Sequence, residues 1–378
     1  FVLDEQTLAW VIDQGGRFIS AFLERKGVHV IQVEFLCKLI AEDFDVQTAA
    51  SLYDTLFAPL KPYIRHANLV IVPHGVLHYL PFAALWDAES ERYLVQDYAI
   101  TYSPSASVLK FILEKRNADE GRLLAMGNPD GFLPNAATEV EAIAGLYSTT
   151  PLLGQEAAES QIYAQAGQLD ILHLAAHGVY NPFNSLFTRI ELASDDAHDG
   201  NLEVHEVFDL DLTGANLVVL SACKTDLGAQ SQGDELVGLT RAFLYAGSPA
   251  VVTTLWSIDD AASGVLMEAF YRHLREGLTN AEALRAAQVA ALAQEQWRTP
   301  YYWAAFSLTG DYRGSGEDKT APEETPAPTA TPTEPTPPAP EDKEGGLCAN
   351  VALPLGIAVL AGVYRQRTRR RMRFSCTV

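Results

Sequence analysis

From Gly121 onward the sequence alternates short apolar runs with amphipathic ones, and this rhythm limits the possible folds more than any other feature of the chain. Uniformly apolar or period-2 segments read as strands at Arg122–Gly127, Asp170–Ala176, Arg189–Ala193, Ala215–Leu220, Ala250–Leu255 and Trp303–Leu308. Between them the spacing is helical. Thr138–Tyr147 is opened by Thr138 with Glu141 three residues on, a capping-box pattern, and helices follow over 158–166, 234–246 (ending at Gly247), 261–276 and 280–296. Strands without a polar face need cover on both sides, and alternation with helices supplies it. The expected fold is therefore α/β, a mostly parallel sheet flanked by helices.

The first third is less regular. Residues 1–33 alternate like β-structure, 36–60 look helical, and Asn68–Val72 is a buried-strand run leading into Pro73-His74-Gly75. Short strands follow around 93–102, then an amphipathic helix over Ser105–Lys115. The chain opens on Phe-Val-Leu, already strand-like, so it is expected to be the C-terminal part of a longer protein.

With 378 residues, 48% of them hydrophobic, there is apolar material for one large or two ordinary domains. The net charge of −21 is unevenly placed: six arginines between Arg365 and Arg373 stand apart, leaving 21 basic against 48 acidic side chains in residues 1–364. A body of net charge −27 repels phosphates, which argues against nucleic-acid binding. The four cysteines, Cys37, Cys223, Cys348 and Cys376, have no CxxC spacing, so they suggest neither a disulfide framework nor a zinc site. Cys37, in the run Phe35–Ile40, reads as a core thiol.

Residues 313–346 are rich in Pro, Thr, Ala and Glu and read as a disordered spacer. Leu347–Tyr364 carries no charge, and as a helix it would span roughly 27 Å, enough for a bilayer core. With an Arg-rich tail over 365–378, the expectation is a single-pass C-terminal membrane anchor. The basic tail would stay cytoplasmic and place residues 1–346 outside, as in bacterial surface proteins, the alternative being a cytoplasm-facing anchor.

In open α/β sheets functional groups collect at the carboxyl ends of strands. Two strand ends here carry suggestive chemistry: one runs Asp170 to His177-Gly178, the other Leu217 to Ser221-Ala222-Cys223. Strand alternation places His173 and His177 on one face, with His177 at the end. A thiol needs an imidazole to become thiolate and to protonate the leaving amine, so Cys223 is the candidate nucleophile and His177 its base. The backbone N–H groups of Gly178 and Cys223 could form the oxyanion hole. Asp259 and Asp260, after the strand that includes Trp256, could receive a basic substrate side chain, or Asp259 could cap the following helix. The same two readings apply to Asp234 after Gly233. His74 and His78 lack a third metal ligand, and no phosphate loop or Gly-x-Ser-x-Gly elbow occurs.

The runs HLAAHG (173–178), LSACKTDLG (220–228), GDELVGLTRAFLYAGSPAVVTTLWSIDD (233–260), FYRHLREG (270–277) and PYYWAAFSLTGD (300–311) closely resemble the CHAT domain, a caspase-like family related to separase that often follows tetratricopeptide repeats. The resemblance implies a caspase–haemoglobinase-like fold, with a non-catalytic N-terminal half (1–118) packed on a catalytic half (119–312). It implies that His177 and Cys223 match the family's catalytic pair, that no cofactor or metal is needed, and that upstream repeats or a partner gate the activity. The comparable acidic position of separase-like enzymes receives a basic P1 residue. The family's usual Asp-Gly is replaced here in Pro73-His74-Gly75-Val76-Leu77-His78. The function implied is a cysteine endopeptidase, against the alternative of a catalytically silent interaction module at a membrane.

Overall fold

The computed structural model describes residues 6–12, 18–24, 35–114, 122–181, 183–221 and 236–314. The spacer, the apolar run Leu347–Tyr364 and the Arg-rich tail lie outside the described residues, as do Cys223 and Asp234.

The chain opens with an antiparallel pair, β1 (Gln6–Ile12) and β2 (Phe18–Glu24). The helical stretch expected over 36–60 is divided. A turn α1 over residues 35–40 is followed by α2 (Val46–Leu56), because Asp45 accepts a hydrogen bond from the Gln47 N–H and starts the second helix afresh. Cys37, expected as a free core thiol, is half-buried and disulfide-bonded. Next come β3 (Asn68–Ile71), a ribbon of β4 (Trp86–Asp87) and β5 (Arg92–Tyr93), the short α3 (Leu94–Asp97), β6 (Ala99–Tyr102) and α4 (Ala106–Glu114).

The second stretch runs β7 (Arg122–Gly127), α5 (Pro134–Tyr147), β8 (Leu152–Leu153), α6 (Ser160–Gln165) and β9 (Leu169–Ala175). A small antiparallel sheet follows from β10 (His177–Val179), β11 (Arg189–Glu191) and β12 (Asn201–Glu203), then α7 (Val204–Val207). The rest is β13 (Leu217–Leu220), α8 (Leu236–Ala246), β14 (Ala250–Thr254), α9 (Asp260–Arg275), α10 (Asn280–Leu292) and β15 (Phe306–Gly310).

Eight strands form one sheet in the order β3-β6-β15-β14-β13-β9-β7-β8. Every pairing is parallel except β14 with β15, so two parallel blocks of opposite direction meet there. The architecture is the expected α/β one, a mostly parallel sheet flanked by helices. Strands from both sides of residue 118 share it. At its centre β9 is buried at all seven positions. Ile171 and Ala175 enter a core with Val140 and Ile143 of α5, Leu266 and Phe270 of α9, and Leu284 of α10. Leu172 and Leu174 enter a second core on the other face with Ala242 and Phe243 of α8. Each fully buried Leu, Ile or Phe contributes about 1.5–3 kcal/mol.

Helix ends follow local chemistry, with one surprise. The capping box expected at Thr138 and Glu141 does not form. Pro134 begins α5 a turn earlier, where its fixed φ and missing N–H are tolerated, and the Thr138 hydroxyl donates back to the Pro134 carbonyl. The box appears instead at α10, between Thr279 and Glu282.

The membrane anchor is a correction. Among the described residues no helix is long and apolar enough to cross a membrane. The longest, α9, has 16 residues and carries Glu268, Arg272 and Arg275. The single-pass placement, and the extracytoplasmic position that depended on it, are withdrawn.

Gly247 ends α8 at φ +127, where a Cβ would lie 2.6 Å from the Thr213 nitrogen. Gly247→Ala should therefore cost about 2–3 kcal/mol of unfolding free energy. An unchanged urea midpoint would show that the close approach is dispensable.

Candidate functional site

β14, β13, β9 and β7 are consecutive and parallel, so their carboxyl ends open on one edge of the sheet. That edge collects the chemistry. Asp130 follows β7, His177 follows β9, Ser221 follows β13 two positions before Cys223 in sequence, and Asp259 and Asp260 follow β14. β3 runs the opposite way and delivers Pro73-His74-Gly75 to the other edge.

His177 does not extend β9, as strand alternation suggests. The chain breaks pairing at Ala176, and His177 opens β10, where it faces Glu191 while Gly178 faces Ile190. Its side chain is 19% exposed, with Nε2 3.4 Å from Asp130 Oδ2. Nδ1 is buried and has no hydrogen-bond partner among the described residues. The imidazole is thus met by Asp130 at one nitrogen, while the other has no partner among the described residues.

Asp130 was not singled out from the sequence. It belongs to the turn Asn128-Pro129-Asp130-Gly131 just past β7, in which Asn128 and Gly131 adopt positive φ. The Asn128 amide oxygen accepts from the Leu133 N–H at 2.7 Å, and Asp130 Oδ1 accepts from Phe132 N–H at 2.9 Å. The Asn128 N–H donates to the Ala175 carbonyl, tying the turn to the end of β9. With one carboxylate oxygen fixed by the turn, the other is free to meet the imidazole. The signal was there: a turn rich in Asn, Pro, Asp and Gly at a strand end on the edge that carries His177.

Asp259 caps α9, accepting from the Ala262 N–H at 3.0 Å. Asp260 is half-buried and accepts from the Asn135 N–H of α5 at 3.1 Å. Burial raises the Asp260 carboxyl above its ordinary value, and the negative charges of Glu139 and Asp259 add to this while Asn135 opposes it. His78, Tyr102, Arg241 and Thr253 help line a separate cleft, which none of the expected site residues lines.

The CHAT domain profile matches residues 46–311. The chain belongs to the CHAT domain family. It is 28% identical over 320 positions to human tetratricopeptide repeat protein 28 and equally to the mouse protein, with 69% of this chain aligned. The chain spans 13% of the length of these relatives. Both are mammalian, which lends no support to the bacterial-surface expectation. Similar solved structures include a Saccharomyces cerevisiae separase–securin complex, at 15% identity and TM-score 0.47, covering 71% of this chain and 17% of that one. Another is the Arg-specific cysteine proteinase gingipain R, at 14% identity and TM-score 0.46, covering 76% and 75%.

The sign of the Asp260 shift gives a test on this CHAT domain. A carboxyl whose folded value is raised keeps its proton more readily when folded, so stability falls as pH rises through and above its ordinary value of 3.8. Asp260→Asn keeps an acceptor for Asn135 but cannot ionise. Its melting temperature should gain on the wild type between pH 3 and 6, and parallel curves would refute the assignment.

Proposed function

We propose that this chain is a cysteine endopeptidase in which Cys223 is the nucleophile and His177 the general base, cleaving after a basic P1 residue. The observation that carries the reading is the disposition of His177: Nε2 against Asp130, Nδ1 buried and unpaired among the described residues, at the edge to which β13 leads.

In this mechanism Nδ1 accepts the thiol proton of Cys223, and the thiolate attacks the scissile carbonyl carbon. The negative oxygen that develops is met by the backbone N–H groups of Gly178 and Cys223. As the C–N bond breaks, the imidazolium returns the proton to the leaving amine. His177 then takes a proton from water, which attacks the thioester and frees the thiol. Asp130 holds the ring and offsets the positive charge it carries between these steps. The chain's own residues suffice for every transfer.

Asp260, with Asp259 and Asp234, forms the acidic side of the substrate site. A half-buried carboxylate met by the backbone and side chain of Asn135 has acceptor capacity left for a guanidinium or ammonium, and the acidic body of the chain would attract basic segments. The physiological substrate is then a protein with an exposed Arg or Lys. The resemblance to a family that follows tetratricopeptide repeats supports an upstream region or partner protein as the gate.

A fluorogenic peptide with Arg at P1 tests this. Cys223→Ala should abolish cleavage with the fold intact, and a variant cutting at the wild-type rate would end the proposal. Asp130→Ala should slow kcat by up to about 100-fold, the lower end of what positioned acid–base groups contribute. Its stability should barely change, since the pair is partly exposed.

A further inference from the structure

Beneath the site edge, between the sheet and helices α5 and α9, runs a chain of buried polar groups that the peptidase mechanism does not use. Tyr271 Oη of α9 lies 3.0 Å from His173 Nδ1. His173 Nε2 lies 3.0 Å from Glu139 Oε1 of α5, an ion-pair distance without the alignment of a hydrogen bond. The Ser263 hydroxyl of α9 donates to Glu139 Oε2 at 3.4 Å, and its oxygen is 3.0 Å from the hydroxyl of Ser221. No member is more than 6% exposed. Burial holds the Tyr271 hydroxyl in its protonated form, aided by Tyr147 and Glu139.

The surroundings are apolar: Ile171, Ala175, Val219, Val140 and Leu266 share this face. Apolar side chains of the same volume would fill such a site at no loss of stability, and often at a gain. What the polar chain supplies is a fixed geometry, because each group has few partners and an unpaired one is costly. The elements it fixes are those that carry the site. His173 stands four residues before His177, and Ser221 two before Cys223. Ser263 stands one helical turn after Asp260, and Glu139 one turn after Asn135, whose N–H holds Asp260. The loop with Asp130 leads directly into α5.

We propose that Tyr271, His173, Glu139, Ser263 and Ser221 form a positioning relay that sets the Cys223 strand end against His177 and Asp260, Glu139 being the junction. These are positioning residues, since all are buried and the mechanism gives none of them a contact with substrate. The inference rests on the peptidase reading of that edge.

The test is a double-variant cycle in the full chain, reduced and desalted, with Glu139→Gln and Ser221→Ala, which are linked among the described residues through Ser263. Three quantities are read: kcat and KM on the Arg peptide, the rate of Cys223 alkylation by iodoacetamide at pH 7, and the thermal midpoint. Each single variant should lower kcat and the alkylation rate at least tenfold, with KM within twofold. The double variant should be no slower than the slower single, as expected of parts of one unit. A purely structural role predicts a lower midpoint with kcat kept in the folded fraction, and either that result or multiplicative effects would overturn the relay. Should Glu139→Gln fail to fold, Ser263→Ala takes its place with the same expectations. A wild type that neither cleaves nor reacts at Cys223 sinks the peptidase reading and the relay with it. An active wild type with unaffected variants sinks the relay alone.

Discussion

Burying Leu169–Ala175 on both faces obliges a parallel neighbour on each side of the strand and a helical layer above and below. β7 and β13 meet the first requirement, and α5, α9, α10 and α8 the second. Parallel neighbours must point the same way, so their carboxyl ends fall on one edge. The placement of Asp130, His177, Ser221 and Asp260 there follows from satisfying the backbone of the central strand. Reversal at β15 then sends β6 and β3 the other way, which keeps the first part of the chain out of that edge while it completes the sheet.

The two faces of the sheet are chemically unequal. On the α8 side, Leu172, Leu174, Val218 and Leu220 meet Ala242 and Phe243 in a mainly apolar layer, with the buried Asn216–Asp170 hydrogen bond at the start of the two strands. On the α5 and α9 side, the corresponding strand positions include His173 and Ser221, and the helices answer with Glu139, Ser263 and Tyr271. The apolar layer supplies burial energy and tolerates repacking of equal volume. The polar one constrains distance and orientation, and it lies under the edge that carries the candidate site residues.

Much of this was readable in the residues, and what was missed has physical causes. The strands β7, β9, β13 and β14 announced themselves because two-sided burial leaves uniform apolar runs. The capping box at Thr138 misled because Pro134, four residues earlier, is a better first residue for a helix than Thr is a cap. Alternation placed His177 with His173, but the chain leaves the sheet at Ala176 and enters a second one. A period-2 pattern cannot register such a change of partner. Asp130 escaped notice because an Asn-Pro-Asp-Gly turn explains itself as a turn, and only the fold brings its second carboxylate oxygen to an imidazole 47 residues away. Cys37 looked like a core thiol, because local sequence does not show which cysteine another will meet. The apolar run near the C-terminus met a length criterion, and length by itself is weak evidence for a membrane span.

Asp260 links these levels. Its carboxylate does for α5 what Asp259 does for α9, since each meets an unpaired N–H in a first helical turn. Cap and substrate site therefore need not be alternatives. Asn135 meets the carboxylate through its backbone and its side chain, which leaves part of an acceptor capacity of about four, and the helix N-terminus fixes its orientation without neutralising its charge. Desolvation makes that charge costly in the free protein, and a basic side chain arriving from solvent would offset the cost by pairing with it. A rigid, partly desolvated anion at the edge of a sheet binds cations more selectively than a surface carboxylate would. On the proposed reading, that selectivity would come from the same two helices, α5 and α9, that pack on β9.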